Sequence, residues 1–482
     1  MERLARNPLL DRPARLRGTA AGGVVVILAG LYAGWLASQG SSNREATALL
    51  LLGVAVVALA VSPNVFLGLS VLTIGTDSLS EAHPLAFGGT QVYSLDVLLG
   101  VVLLRAFLPR ERAPKRARLG DLTVVLFAIW AAVMIVAAAR PALSGYALVP
   151  IVRLSTPLLY SVGLYIGFGR VIRERGFDLD TAMRYMLTVA LGLVAYMALA
   201  RVANTPFEDE TNPAIGHLGT VVTTGGELRR DYGLASAFIV YPVIALAAAA
   251  YLLHGSRRAA FASAMFVVGV VATLLTLIRG EIFGLVIGLA AIAVVRTPTS
   301  VVRTSRPAAI ASAAVALLIA GLGLWVASPS TARGVAERSL PGVVKQSTSA
   351  NQTAKYRHDA VDKGFEVLGP HPAGVGLVPE KDLTQKSGVD LGYVAHSGLT
   401  AMAVYAGWFG LIASVLALLG LLRDSFLRPR PNPWLHPLLV GGLLMIVFYT
   451  VYGAAGLIGQ GWVTALAALI VAMRFNARES PA

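Results

Sequence analysis

The chain has 482 residues, of which 56% are hydrophobic and only 14% are charged. Soluble domains average about 45–50% apolar and about 25% charged residues, so this composition excludes an ordinary soluble protein and indicates a polytopic membrane protein. Cysteine is absent, which excludes disulfides, a thiolate nucleophile and a cysteine-ligated metal site.

The apolar runs predict about fourteen membrane segments, judged against the roughly 20 residues that a helix needs to cross hydrocarbon. They lie at residues 20–38, 46–62, 64–76, 91–108, 120–139, 149–168, 183–202, 232–253, 259–278, 281–295, 308–326, 397–422, 436–454 and 456–473. The third and the tenth are short, so they would be tilted, re-entrant or half-helices. We therefore expect an all-α fold: a polytopic membrane helix bundle of about 12–14 transmembrane helices with one large extracytoplasmic loop.

The predicted organisation divides the chain at the ends of these segments. A cytoplasmic N-terminal tail (1–19) precedes helices 1–11 (20–326), the large loop covers 327–395, helices 12–14 cover 396–473, and a cytoplasmic tail (474–482) ends the chain. The first apolar run is longer than the h-region of a signal peptide, and further spans follow it. We therefore interpret that run as an uncleaved signal anchor.

Most clusters of positive charge lie on one side of the predicted membrane segments. If the segments alternate, the Arg and Lys clusters near residues 3–17, 110–118, 170–184, 257–258, 296–306, 423–430 and 474–478 all share a side. The positive-inside rule makes that side the cytoplasm, so both termini are expected there and the large loop outside. The net charge of +14 is then mainly a topology signal, and no nucleic-acid partner is expected.

Five further arginines fall on the other side of the predicted membrane. Arg153 and Arg201 lie near the outer ends of the sixth and seventh segments, Arg229 and Arg230 precede the eighth, and Arg279 separates the ninth from the tenth. Positive-inside statistics disfavour such charges. Several guanidiniums at one depth would make a natural site for a phosphate or diphosphate.

A simpler alternative is that each of these arginines snorkels to the interface or pairs locally. Arg279 with Glu281 and Arg230 with Asp231 are the evident local pairs. We expect Asp96 to have a local structural partner, with a carboxylate of the site as the alternative, and Asp77 to be solvated in an outer loop.

A single histidine lies at the mouth of the twelfth segment. The loop residues Tyr393 to Ser397 include His396 and lead into an apolar run that ends at Leu422. An ionisable group at that depth is a functional candidate, and its alternative is an interfacial histidine that anchors the helix end. Other chemistries have no support, because no P-loop, no H-E-x-x-H pattern and no G-x-S-x-G elbow is present. We expect no metal site and no cofactor.

Several motifs follow one another in the second half of the chain. They are Arg229-Arg230-Asp231-Tyr232-Gly233, Arg279-Gly280, Arg357, Pro370-His371-Pro372-Ala373-Gly374-Val375-Gly376, Ala395-His396-Ser397-Gly398-Leu399 and Ala406-Gly407-Trp408-Phe409-Gly410-Leu411. Their order resembles the O-antigen ligase and O-antigen polymerase family of bacterial envelope glycosyltransferases, and the resemblance covers residues 228–422. Ser397 stands where the family usually has Asn, and Ile278 stands where its hairpin motif usually has Ser.

The resemblance implies a metal-independent glycosyltransferase in the bacterial cytoplasmic membrane, with its active site on the extracytoplasmic face. The donor would be a glycan on a polyprenyl diphosphate, and the acceptor a hydroxyl of a glycan or a lipid-linked glycan. His396 would be the catalytic base. Arg230, Arg279 and Arg357 would bind the diphosphate, with Arg229 as the weaker alternative to its neighbour and with Arg153, Arg201, Tyr232 and Glu281 as supporting residues.

A second class of function uses the same arginines. A transporter or flippase for lipid-linked glycans or other anions would also bind a diphosphate in a membrane bundle. A transporter is expected to place ionisable groups near mid-membrane and to show internal duplication, whereas here they cluster near one face, beside the long loop. The sequence favours the enzyme and leaves polymerase and ligase both open.

Overall fold

The computed structural model describes residues 58–77, 85–87, 90–108, 122–202, 220–223, 226–229, 237, 239–254, 259–276, 278–295, 359, 361–378, 380–389, 398–427, 434–452 and 461–475. The predicted segments at 20–38 and 308–326, and most of 46–62, lie outside these residues. The predicted N-terminal tail, residues 476–482 of the predicted C-terminal tail and residues 296–358 also lie outside them.

The described residues are mainly helical. We number the helices α1 (Pro63–Gly75), α2 (Ser94–Phe107), α3 (Leu122–Leu143), α4 (Leu148–Leu159), α5 (Tyr165–Val171), α6 (Leu179–Val202), α7 (Val240–His254), α8 (Ala259–Leu275), α9 (Arg279–Val294), α10 (Glu380–Ser387), α11 (Gly398–Leu427), α12 (Leu435–Tyr452) and α13 (Gly461–Ala472). A π-helical turn, Tyr160–Leu164, joins α4 to α5, and a 3₁₀ turn, Met473–Phe475, follows α13. The predicted bundle of apolar helices is confirmed to this extent.

Two short antiparallel hairpins, which the sequence did not predict, interrupt the helices. Strand β1 (Leu85–Phe87) pairs with β2 (Thr90–Val92), and β3 (Thr220–Thr223) pairs with β4 (Gly226–Arg229). Pairs this short leave no clear alternation of apolar and polar residues, so a pattern search misses them.

Among the described residues, four helices are long and apolar enough to cross a membrane: 122–143, 151–171, 179–198 and 398–426. Five further apolar helices are shorter, and they include Pro63–Gly75 and Gly280–Val294. These two coincide with the third and tenth predicted segments, which were expected to be short. The total number of membrane crossings stays a prediction.

The core of the bundle lies between helices that approach closely at small residues. Helix α7 packs on α8, α9 on α12, α1 on α6, and α11 on α3. Between α9 and α12, a Cβ on Gly441 would lie 2.7 Å from the carbonyl oxygen of Gly288, so the two backbones are in direct contact. Small residues give membrane helices such contacts because lipid supplies no hydrophobic force between them.

Two buried ion pairs join elements at the predicted cytoplasmic side. Arg105 donates from Nε and Nη2 to the two carboxylate oxygens of Glu174 at 2.9 and 2.8 Å. Its guanidinium carbon lies 4.6 Å from the ring centroid of Phe66. Arg474 contacts Asp424 at 3.2 Å. Both arginines are almost fully buried, so they fix the positions of helices as well as contributing positive charge to the cytoplasmic side.

The acidic residues at the start of α2 have structural roles. Asp96 accepts from the Tyr93 amide at 2.9 Å and from the Tyr160 hydroxyl at 2.7 Å, which confirms the expected local partner. The expected solvation of Asp77 is wrong, because its side chain is only 2% exposed. Asp77 accepts from the Ser94 hydroxyl at 2.5 Å and from the Leu95 amide at 3.2 Å. It therefore caps a helix N-terminus, where unpaired amides favour a carboxylate.

Candidate functional site

Helix α11 is broken at Gly407. This residue has φ 64° and ψ −153°, a region of backbone space that is essentially restricted to glycine. The break divides the apolar stretch that the sequence predicted as one continuous span. It lies nine residues after Gly398, or about 13 Å along the helix axis. A break within a membrane helix frees amide and carbonyl groups, which must find new partners because lipid offers none.

The loop from Pro370 to Val378 supplies those partners. The Trp408 amide donates to the Pro372 carbonyl at 2.9 Å, the Val375 amide to the Val404 carbonyl at 2.9 Å, and the Gly376 amide to the Tyr405 carbonyl at 2.9 Å. Three backbone hydrogen bonds therefore join the two segments. The motif Pro370-His371-Pro372-Ala373-Gly374-Val375-Gly376, which the sequence singled out, is the segment that docks on the break.

Glycine is required on both sides of this contact. Gly374 has φ 72°, and a Cβ there would lie 2.5 Å from the Gly407 amide nitrogen and 2.5 Å from the Tyr405 carbonyl oxygen. A Cβ on Gly407 would overlap the Pro372 carbonyl oxygen. These neighbours are backbone atoms, which cannot rotate away. The two glycines are therefore needed both for their dihedral angles and for the close approach of the two backbones.

The same loop is also attached to the end of α3. Pro141 lies inside α3 and lacks the amide that would donate to the Ala137 carbonyl four residues earlier,. The Leu377 amide takes that place and donates to the Ala137 oxygen at 3.0 Å. A helical proline thus creates an acceptor that the docked loop satisfies.

Arg140 is a candidate residue that the sequence analysis missed. It lies in the last turn of α3, and its Nη1 donates to the carbonyl oxygens of Ala373 at 2.6 Å and Gly374 at 3.2 Å. By the predicted topology it belongs to the extracytoplasmic end of α3, where the positive-inside rule disfavours arginine. That same signal selected Arg153 and Arg201 and could have selected Arg140.

The rest of the loop segment packs as a small apolar layer on the first half of α11. Val367, Val375, Val378 and Leu383 form a buried cluster with Ala401 and Val404, and Tyr146 and Tyr405 pack against it. This cluster holds α10 near the turn between α3 and α4. Residues 361–378 and 380–389 of the predicted large loop therefore form a layer against the first half of α11.

Helix α10 brings Lys386 to this layer. Its Nζ lies 4.9 Å from the ring centroid of Tyr146. Burial lowers the pKa of Lys386, and the positive charge of Arg140 lowers it further. Two cations that are distant in the sequence therefore lie close enough to influence each other beside the docked loop.

Most of the predicted site residues cannot be placed by side chain. His396, Arg230, Arg357 and Tyr232 lie outside the described residues. Arg201, Arg229 and Arg279 are described by their backbone alone: Arg201 lies in the last turn of α6, Arg229 ends β4, and Arg279 is the first residue of α9. His396 precedes the first residue of α11 by two positions. The catalytic and diphosphate-binding roles stay predictions.

Two of the supporting residues are described in full. Arg153 is exposed in the second turn of α4. Glu281 is fully buried in the first turn of α9 and accepts from the Thr276 hydroxyl at 3.3 Å. It also interacts electrostatically with Tyr241 and Tyr449. Glu281 thus ties the turn that carries Arg279 to the end of α8, and its pairing with Arg279 stays a prediction.

Within the part of the chain that is described, no group of three or more His, Asp or Glu side chains lies close enough to hold a metal ion. The arrangement can instead do two other things. It can hold a loop rigidly over the mouth of a membrane helix, and it can present positive charge beside that loop.

Comparison with known proteins finds a family match for the region that contains the docked loop and the break in α11. No curated protein matches the chain. Residues 264–415 match the sequence model of the O-antigen ligases. The match includes most of α8, all of α9, the docked loop, α10 and the break in α11. Residues 264–415 are therefore similar to the O-antigen ligases, and this similarity supports a relation to that family of membrane glycosyltransferases of the ligase and polymerase type.

Proposed function

We propose that this protein transfers a glycan from a polyprenyl diphosphate carrier to an acceptor hydroxyl at the outer face of the bacterial cytoplasmic membrane. The observation that carries the proposal is the docking of Pro370–Gly376 onto the Gly407 break, inside the region matched to the O-antigen ligases. The break follows His396 by 11 residues in the chain, and the docked segment ends 20 residues before it.

The proposed reaction is a displacement at the anomeric carbon. The acceptor oxygen forms a bond to that carbon, the bond from the carbon to the diphosphate oxygen breaks, and the diphosphate leaves with the electron pair. His396 accepts the proton of the acceptor hydroxyl. An imidazole suits this role because its pKa lies near neutrality, and general-base help of this kind is worth roughly 10²- to 10⁴-fold in rate.

The leaving diphosphate needs preorganised positive charge in a site of low dielectric constant. We propose that Arg230, Arg279 and Arg357 supply it. The position of Arg279 supports this, because it opens α9, and the positive end of a helix dipole favours an anion nearby. The buried contact between Glu281 and Thr276 holds that turn in place.

The docked loop supports the proposal in a second way. Residues 361–378 and 380–389 pack against the first half of α11, and this segment ends seven residues before His396 in the chain. A layer in this position would limit the access of water to the reaction centre. Transfer to a hydroxyl would then be favoured over hydrolysis of the donor.

A single-turnover assay tests the proposed base. Purified His396→Gln protein is mixed with lipid-linked donor and acceptor in detergent with EDTA, and His254→Gln, on the predicted cytoplasmic side, is the matched control. We expect the first variant to lose about 10²- to 10⁴-fold in rate while it still binds donor, and the control to keep wild-type activity. A near-normal rate in His396→Gln would refute the base, and a requirement for a divalent ion would refute the metal-free reaction.

The same assay separates an enzyme from a transporter, because transport has no meaning in detergent. Absence of any transfer by well-folded wild-type protein would refute the proposed function. Glycan lengths in a deletion strain then distinguish the two enzymes. Loss of long chains on the carrier indicates a polymerase, and accumulation of carrier-linked polymer indicates a ligase.

A further inference from the structure

We propose that Arg140 and Lys386, neither of which is among the predicted diphosphate arginines, form an additional oxyanion subsite beside the docked loop. Its ligand is a phosphate or carboxylate group of the glycan substrate. This inference rests on the proposed function for the source of the ligand, and on the geometry alone for the existence of the site.

The two cations come from distant parts of the chain and are both held in place. Arg140 is fixed by the carbonyl oxygens of Ala373 and Gly374 at 2.6 and 3.2 Å. Lys386 is fixed over the ring of Tyr146 at 4.9 Å. Neither side chain forms an ion pair with a carboxylate of the described residues, in contrast to the buried Arg105 and Arg474.

Their proximity has an electrostatic cost. Burial lowers the pKa of Lys386, and the positive charge of Arg140 lowers it further, which means that the charged form of the lysine is disfavoured there. An anion bound between the two cations removes this penalty and stabilises both charges. A pair of like charges held together by other contacts is therefore preorganised for an anion.

The Arg140 nitrogens that do not bond to the docked loop are suited to binding an oxyanion. Only Nη1 of Arg140 bonds to the docked loop, so Nη2 and Nε form no hydrogen bond with the described residues. A guanidinium edge matches the paired oxygens of a phosphate or a carboxylate, and a lysine ammonium adds a point charge. Arg140 is exposed and Lys386 half-buried, so a ligand can reach both from outside.

Because Arg140 also positions the loop, Lys386 gives the cleaner test. Lys386→Met removes the charge at nearly constant length, and Lys386→Arg retains the charge and the contact with Tyr146. Lys363→Met is the matched control, since it removes one positive charge from the same loop segment. Arg140→Lys tests whether a positive charge at residue 140, without the guanidinium shape, is sufficient for anion binding.

The binding probes distinguish the sources of the oxyanion. Farnesyl diphosphate, inorganic phosphate and a glucuronate oligosaccharide are titrated against full-length protein in nanodiscs, with farnesol as the uncharged reference. We expect Lys386→Met to weaken the binding of at least one anion by about 10- to 100-fold, the range for a charged hydrogen bond. Lys386→Arg and Lys363→Met should bind like the wild type, and farnesol should be unaffected.

Each pattern of results decides the proposal. Weaker binding of farnesyl diphosphate assigns the subsite to the donor, and weaker binding of the glucuronate oligosaccharide assigns it to an acidic sugar. Weaker binding of inorganic phosphate alone means that the site holds a free phosphate ion and overturns the assignment to the glycan substrate. Wild-type affinity of Lys386→Met for all three anions, or an equal loss in Lys363→Met, overturns it.

Failure of the proposed function is recognised separately. If the binding depends on Lys386 but no transfer occurs, the subsite stands and the proposed function falls. If transfer proceeds while Lys386→Met binds every anion normally, the subsite falls and the function stands.

Discussion

The docking of the loop on the broken helix makes a sharp prediction for Gly407→Ala. An alanine at φ 64° and ψ −153° costs about 1–3 kcal/mol in backbone strain. Its Cβ would also overlap the Pro372 carbonyl, so the loop must move and lose its three backbone hydrogen bonds to residues 404–408. At about 0.5–1.5 kcal/mol each, these bonds contribute about 1.5–4.5 kcal/mol.

Together these terms destabilise the docked state by about 2.5–7.5 kcal/mol. At about 1.4 kcal/mol per factor of ten, the undocked population rises by about 10²- to 10⁵-fold. Hydrogen exchange of the peptide that covers residues 372–378 reports this population, because the Val375 and Gly376 amides exchange only when their bonds open. We therefore expect fast exchange in Gly407→Ala and slow exchange in the wild type.

The matched control is Gly100→Ala. A Cβ on Gly100 meets no atom within 4 Å, and the residue lies in the regular helix α2, so alanine should be neutral or stabilising by up to about 1 kcal/mol. Its exchange over residues 372–378 should equal that of the wild type. The same slow exchange in Gly407→Ala would refute the argument that the two backbones are in contact.

Three further predictions concern stability, binding and topology. Glu174→Gln leaves the buried Arg105 without its anionic partner, so it should destabilise the protein by about 3–5 kcal/mol. The measurement is a lower melting temperature in detergent, and an unchanged melting temperature would contradict the buried pair. Arg279→Ala should abolish glycan transfer while membrane insertion persists. Arg279→Lys should restore only part of the transfer activity because an ammonium cannot bind phosphate bidentately. Wild-type transfer in Arg279→Ala would remove this arginine from the diphosphate site. In intact spheroplasts, a membrane-impermeant thiol reagent should label Ser347→Cys and spare Ala113→Cys, and the reverse pattern would invert the topology.

The local composition of the sequence determined the class of fold. Runs of apolar residues that match the hydrocarbon thickness specify membrane helices, because an unpaired peptide group in lipid costs several kcal/mol. The sequence also pointed to the family through the order of its motifs, and residues 264–415 carry that match. Even the short segments at 64–76 and 281–295 were recognised, because a helix length can be read from one stretch of chain.

The tertiary structure decided how those motifs are used. Nothing in the stretch from Tyr393 to Leu422 distinguishes Gly407 from a glycine that allows helices to pack closely, so the sequence predicted one continuous span. The break appears only because the backbone of Pro372–Gly376 supplies the hydrogen bonds that the helix gives up.

The hydrogen-bond partner of the Ala137 carbonyl and the position of Arg140 beside the loop also depend on the tertiary structure. Pro141 frees a carbonyl by a purely local rule, yet its new donor, Leu377, is far away in the sequence. Apolar periodicity fixes which residues enter the membrane, whereas pairing between distant backbone segments depends on where the helices place them. For that reason the sequence determined the bundle and its motifs, and the tertiary structure alone revealed the docked loop and the cations beside it.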